Sequence, residues 1–338
     1  MPQGDVPGEW YSPTQPFPTR PPAYARQAIT PDELIDFTPA LRAEALQAVK
    51  MYRMGPMFLP PVLSKVGGPL AALTIGTLGG GTNWPGASYD PETHTVFAQA
   101  ANAGVSALGL VEPPPGYSDM RYLAGQAGRE FRINDGPGFG SAADAPKISE
   151  AQARLAAVTG KAPAQPAAPA DPAAGRAAPP AGGGGGGLTI QGLSLVKPPY
   201  GVLSAINLDR GELVWQVPHG DTPDAVRNHP ALKGLNIPKT GQQGSVGLTV
   251  TKTLVILGDP QVTTTPEHPR GAMLRAYDKA TGKQVGAVWM PAPQSGSPMT
   301  YSVDGKQFIV VAISGGSYSG EYVAFSLPAG ETRTNQGG

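Results

Sequence analysis

The sequence predicts an all-β fold of repeated antiparallel hairpins, broken once by a short helical insertion. Three observations predict it. Of 338 residues, 46 are Gly and 39 are Pro, while only 15% are charged; that mix supplies tight turns for short strands rather than a helical bundle. A strand–turn–strand frame at 205–215, Ala-Ile-Asn-Leu-Asp-Arg-Gly-Glu-Leu-Val-Trp, returns at 276–286 as Ala-Tyr-Asp-Lys-Ala-Thr-Gly-Lys-Gln-Val-Gly. A third hairpin at 299–311 turns on Asp304-Gly305, a dipeptide suited to a two-residue turn. Strand candidates at 248–257 and 321–327 fill the spacing. Hairpins repeated in this way point to a β-propeller or a related all-β array.

Formal net charge is zero, which leaves no electrostatic footprint for nucleic acid. Cysteine is absent, so disulfides, thiolate metal sites, cysteine nucleophiles and Cys-x-x-Cys-His haem attachment are excluded. The N-terminus has no basic segment followed by an apolar one, so no signal peptide is expected. The longest apolar run, 69–78, is too short to span a bilayer.

Taken in order, residues 1–29 are rich in Pro and aromatics (Trp10, Tyr11, Phe17, Tyr24) and read as an extended segment packed on a surface. A helical insertion is expected over 30–54. Thr30-Pro31-Asp32-Glu33 and Thr38-Pro39 both look like helix starts, and Leu41, Ala45, Val49 and Tyr52 share one face. The run 79–98 begins with Gly79-Gly80-Gly81 and passes Asn83 and Trp84. It then forms a hairpin, 87–89 with 95–98, around Asp90-Pro91. Residues 112–150 read as loops. Residues 158–187 are nearly all Ala, Pro and Gly, a flexible linker or loop. The expected organisation is therefore propeller blades with the helical insertion in 1–157, the linker at 158–187, further blades in 188–330 and a disordered tail at 331–338.

Glycines let the backbone approach a flat ligand, and Asn83 beside Trp84 offers amide hydrogen bonds next to a stacking ring. A packed turn would use the same residues. His219 and Asp221 could be a base and its orienter, although their turn-rich setting suits a structural loop better. His229 and His268 precede prolines as loop histidines. Asp32, Glu33 and Asp36 are helix-capping charges. No cluster has metal-ligand spacing, no serine has a nucleophile context, and Ser317 and Ser319 lack a partner base.

The frame at 276–283 resembles the tryptophan-docking repeat of pyrroloquinoline quinone (PQQ)-dependent dehydrogenases, and its relative at 205–215 keeps the docking Trp215. Further stretches resemble the C-terminal half of the glucose/quinate-type, membrane-associated branch. They are Ser-Pro-Thr-Gln-Pro-Phe at 12–17, Gly-Gly-Thr-Asn-Trp-Pro-Gly at 80–86, Pro-His-Gly-Asp-Thr-Pro at 218–223, and 296–311 from Gly-Ser-Pro-Met-Thr-Tyr. The resemblance implies about half of an eight-bladed propeller with PQQ and calcium near its axis. An alcohol or sugar hydroxyl would be oxidised by hydride transfer to PQQ, with an aspartate as base. It assigns Asn83 as a PQQ contact with Trp84 beside it, and Gln243 and Gly244 to a second loop that approaches the cofactor. No residue matches the catalytic aspartate or the calcium ligands. The chain is thus expected to be incomplete and inactive alone, completed by an N-terminal propeller chain or by self-association, in the periplasm. A non-enzymatic propeller scaffold or a decayed remnant is the alternative. Gly286 stands where the repeat has tryptophan, with Trp289 three further on, and His94 occupies a turn position usually held by glycine.

Overall fold

The computed structural model describes residues 1–76, 81–128, 188–315 and 318–327. The linker expected at 158–187, the tail expected at 331–338, and Gly79 and Gly80 lie outside the described residues. In chain order the first strands are β1 (Tyr52–Arg53), β2 (Val62–Leu63), β3 (Ala71–Ile75), β4 (Ala87–Asp90), β5 (Thr95–Ala101) and β6 (Val105–Val111). Then come β7 (Leu123–Ala124), β8 (Thr189–Ile190), β9 (Leu193–Ser194), β10 (Gly201–Asn207), β11 (Glu212–Pro218) and β12 (Thr249–Val250). The last are β13 (Leu254–Gly258), β14 (Ala272–Asp278), β15 (Gln284–Met290), β16 (Met299–Val303), β17 (Lys306–Gly315) and β18 (Tyr318–Ser326). Two short helices, α1 (Pro39–Ala48) and α2 (Asp224–Arg227), complete the list of α elements among the described residues. None is long and apolar enough to cross a membrane. The all-β expectation holds.

The chain divides into two compact units. The first comprises Met1–Phe17, Arg26–Gly79 and Gly104–Lys197. Its sheet runs β1-β3-β6-β2, with β7 on β6. The β3–β6 pairing was not foreseen, because 69–78 is mostly apolar and shows no regular alternation. Here α1 starts on Thr38, whose Oγ1 accepts from Leu41 N–H at 3.2 Å, and buries Leu41 and Ala45. The helical insertion is shorter than expected. Thr30 makes no side-chain cap, so Pro31–Glu33 forms only one 3₁₀ turn, and α1 gives way after Ala48 to another such turn and then to β1. The N-terminal segment is tied down by Asp5 on Arg53 and by Phe17 against Phe58, but Trp10 is exposed.

The second unit, Pro18–Ala25, Gly80–Ala103 and Pro198–Gly338, holds three blade-like sheets. They are the four-stranded β11-β10-β5-β4, the four-stranded β12-β13-β14-β15 and the three-stranded β16-β17-β18, all antiparallel. The first sheet has a peculiarity. Its second and third strands pair Ala101 with Gly201, so the chain leaves and returns between them, and Asn102 N–H meets Tyr200 O at 2.8 Å where it does. Between the first and second sheets lie Phe97, Leu203, Val255, Leu257 and Tyr277. Between the second and third lie Ile256, Leu274, Met290, Val311 and Ile313. The inner strands β13 and β14 thus send alternate residues to opposite neighbours, as strands buried on both faces must, while β15 is largely exposed and gives only Met290 to a core.

The two repeated frames coincide in detail. Both carry a register shift at the same point, Ala205/Ile206 and Ala276/Tyr277. Gly211 N–H returns to Asn207 O and Gly282 N–H to Asp278 O, both at 2.9 Å, with the glycines at φ 64° and 71°. Trp215 on β11 lies against the second turn. Its Nε1 donates to Lys279 O at 3.2 Å, and a Cβ built on Gly282 would meet the indole at 2.6 Å. Gly286 pairs with Ala276 as Trp215 pairs with Ala205, and a Cβ there would meet nothing. His94 has φ 49°, the left-handed conformation that glycine adopts freely, and its Nδ1 is 2.9 Å from the Asp209 carboxylate.

Candidate functional site

In the second unit the Gly-rich run and the 243–244 segment meet. Gly81 O accepts from Ala101 N–H at 2.8 Å and from Ser245 Oγ at 2.9 Å. Tyr24 Oη lies 2.9 Å from Thr82 Oγ1. The chain then reverses, with Asn83 at φ 58° and its carbonyl accepting from Gly86 N–H at 3.1 Å. Asparagine tolerates this left-handed conformation because its short amide can satisfy itself locally. The turn leaves the Asn83 side chain exposed and Trp84 95% exposed. A packed tryptophan was one reading of this stretch; the structure instead offers a free ring.

On the second segment Gln243 is half-buried, and its Oε1 accepts from Ala103 N–H at 2.7 Å. Gly244 sits at φ 141°, and a Cβ there would run into Pro260 at 2.5 Å. Only glycine fits. Gln242, fully buried, accepts from Gln261 N–H at 3.3 Å, while its Nε2 has no partner among the described residues. Gln99 and Gln294, both buried, reach the same segment with their amides. These glutamines were missed, although a lone Gln inside the apolar run 95–101 was a readable signal.

His219 and Asp221 do not act on each other. His219 is fully buried; its Nε2 lies 3.0 Å from Gly258 O and its Nδ1 3.0 Å from Tyr277 Oη. A carbonyl only accepts, so Nε2 carries the proton and Nδ1 takes the tyrosine's. Burial drives the imidazole down to about 4, so it is neutral at pH 7. Burial likewise pushes the Tyr277 hydroxyl up. Asp221 turns to Arg275, 2.8 Å away. Burial works to raise its carboxyl, and the guanidinium outweighs this and holds it below the usual range. Arg275 also grips Asp259, with Nε to Oδ1 at 2.6 Å and Nη2 to Oδ2 at 2.8 Å. Lys239 is lowered first by burial and then by Arg275. The Arg275–Asp259 pair was not foreseen; its signal is one charge inside an alternating strand. Among the described residues no group of three or more His, Cys, Asp or Glu side chains is placed to hold a metal ion.

Comparison with known proteins gives this geometry its context. The family described as "PQQ: Glucose/ethanol/alcohol dehydrogenase, beta-propeller domain" matches residues 1–142 and 145–309. The chain is 28% identical over 334 residues to a "Probable quinate dehydrogenase (quinone)" of Xanthomonas campestris pv. juglandis, covering 96% of this chain and 35% of that protein. It is 25% identical over 338 residues to the "Quinate/shikimate dehydrogenase (quinone)" of Acinetobacter baylyi, covering 96% of this chain and 34% of the relative. A "Quinoprotein glucose dehydrogenase A" of Acinetobacter calcoaceticus is 29% identical over 142 residues, 40% of this chain and 16% of that protein. The chain therefore spans about a third of the length of the first two relatives. With its matched residues covering nearly the whole sequence, the chain belongs to the PQQ family of glucose/ethanol/alcohol dehydrogenase β-propeller domains.

Proposed function

We propose that this chain supplies one cofactor-contacting wall of a PQQ-dependent dehydrogenase that oxidises a hydroxyl of a ring polyol or sugar. The observation that carries the reading is the bond from Ser245 Oγ to Gly81 O. It ties together two segments 164 residues apart, and each of them was assigned to the quinone from sequence alone.

The residues fit such a group. PQQ is flat and rimmed with carboxylate and carbonyl oxygens, so it asks for amide donors and a stacking ring. Asn83 presents an exposed amide, Trp84 an exposed indole, and Gln243 an amide whose oxygen is already engaged. Gln242 Nε2 is an unmet donor on the same segment. When bound, PQQ takes up the electron pair released as the substrate hydroxyl carbon is oxidised. The Asn83 and Gln243 amides would hold its oxygens, Gly244 would let the Gln243 segment pass Pro260, and Trp84 would cover one face. His219 takes no part as base, since both its nitrogens are engaged and it is buried.

In this reading the catalytic aspartate and the calcium ligands lie outside the described residues, in a complementing chain or segment, and the assembled enzyme works in the periplasm. Trp215 on the Lys279–Gly282 turn would be the family's tryptophan docking. Quinate is the first substrate to try, because the relatives named for it align with 96% of this chain.

The test is to mix the purified chain with PQQ and calcium, with and without the polypeptide encoded immediately upstream. Uptake is followed by absorbance, and dye-linked oxidation is assayed on quinate and glucose. PQQ uptake, with activity only when the upstream chain is present, is expected. Activity of the chain alone would refute the division of labour, and no uptake in either mixture would favour a scaffold.

A further inference from the structure

Residues 242–247 precede β12 and belong to no strand, yet they run between sheets and are half-buried or buried throughout. Buried backbone groups need partners. Here side-chain amides provide them. Gln99 on β5, 0% exposed, donates from Nε2 to Gly244 O at 2.7 Å and accepts Val246 N–H at Oε1 at 3.1 Å. A neighbouring strand residue would make that same pair of bonds, because a primary amide carries the donor and acceptor of a peptide group. Gln294, on the connection into the third sheet, instead bridges the segment to β13. Its Nε2 donates to Gly247 O at 2.7 Å, and its Oε1 accepts Gly258 N–H on β13. Gln261 Nε2 adds a bond to Gln243 O at 2.6 Å.

These amides decide what Gln243 can offer. Ala103 N–H can be met only by an oxygen, so the Gln243 amide is oriented with Oε1 towards Ala103. Its Nε2, which has no protein acceptor among the described residues, is the half left for a ligand.

We propose that Gln99 and Gln294 are positioning residues, a strand surrogate and a bridge to β13, that hold 243–247 so that Gln243 Nε2 donates to an acceptor oxygen of the bound quinone. The proposal rests on the PQQ reading above. Neither glutamine touches the ligand; each acts by fixing the backbone that carries Gln243.

The test uses the full chain with PQQ as probe, bound in equilibrium titrations read by quenching of tryptophan fluorescence. Gln99→Leu and Gln294→Leu are compared with Val311→Ala, a cavity variant between the second and third sheets and away from the segment. Thermal melts and amide hydrogen exchange are recorded for all. The glutamine variants are expected to weaken PQQ binding at least tenfold and to speed exchange at Val246 or Gly258 while β17 stays protected. Val311→Ala should lose similar thermal stability and keep its PQQ affinity. If Val311→Ala weakens binding as much as the glutamine variants, or if those variants bind normally, the positioning role is wrong while the quinone reading stands. The titrations are run in whichever mixture takes up PQQ, the chain alone or with the polypeptide encoded immediately upstream; a wild-type chain that takes up none in either overturns the quinone reading and the positioning role together. Two glutamine variants are used so that a failure of one to fold leaves the other to decide.

Discussion

A histidine sealed between a tyrosine hydroxyl and a carbonyl is held in one protonation state. His219 has an ordinary value of 6.5 and is driven to about 4 by burial, so below pH 6.5 the unfolded chain binds a proton that the folded chain refuses. Its contribution is fully present above pH 6.5 and is lost progressively as pH falls towards 4; the full shift corresponds to roughly 3 kcal/mol. Asp90 and Asp221 are held below their ordinary 3.8, so their effects fall at lower pH. Denaturant midpoints measured from pH 7 to 4.5 should therefore drop for the wild type and flatten for His219→Gln, which keeps a neutral donor and acceptor. An unchanged slope would mean that another group titrates there. Gly282 makes a second prediction at this scale. It combines φ 71° with a close approach to Trp215. Gly282→Ala should cost about 1–3 kcal/mol in urea unfolding, through strain and displacement of the indole.

At the scale of the element, the two repeated hairpins show what was legible. Their turns and strands were read correctly because a glycine with positive φ and an Asn or Asp at the turn leave a mark in a single stretch of chain. The fold class was legible for the same reason. The glutamine bonds to 243–247 and the Arg275–Asp259 pair were not, since each joins residues whose proximity only tertiary packing creates. The attention to Asn83 and to Gln243 came from family resemblance, not from periodicity, and the bond that joins their two segments runs from Ser245 to Gly81. Gly286 supplies a test. It lies inside β15, opposite Ala276, where a Cβ meets open space, and glycine weakens a strand interior. Gly286→Thr should stabilise by about 0.5–1 kcal/mol in thermal or urea melts, the range set by strand propensity and backbone entropy. A loss of stability would show that the outer strand depends on glycine there.

Across the whole molecule, the third sheet of the second unit has three strands among the described residues, against four in each of the other two. One face carries Val311 and Ile313 into the core. On the other, Tyr301 stacks on Phe308 at 5.2 Å, with Met299 and Val303 exposed in register and Tyr322 81% exposed on β18. Exposed apolar sheet surface of this kind favours association. Light scattering should detect concentration-dependent self-association that Met299→Lys combined with Tyr322→Lys suppresses; a wild type that stays monomeric at high concentration would contradict this. The pairing of Ala101 with Gly201 has a different consequence, one of timing. During synthesis, at about 5–20 residues per second, β5 must wait several seconds for the strand that completes it. In that interval a nearly all-apolar strand offers an unpaired edge to solvent, to chaperones and to other nascent chains. The order in which the ribosome delivers the two halves of one sheet thus becomes a hazard for yield, independent of how stable the finished sheet is.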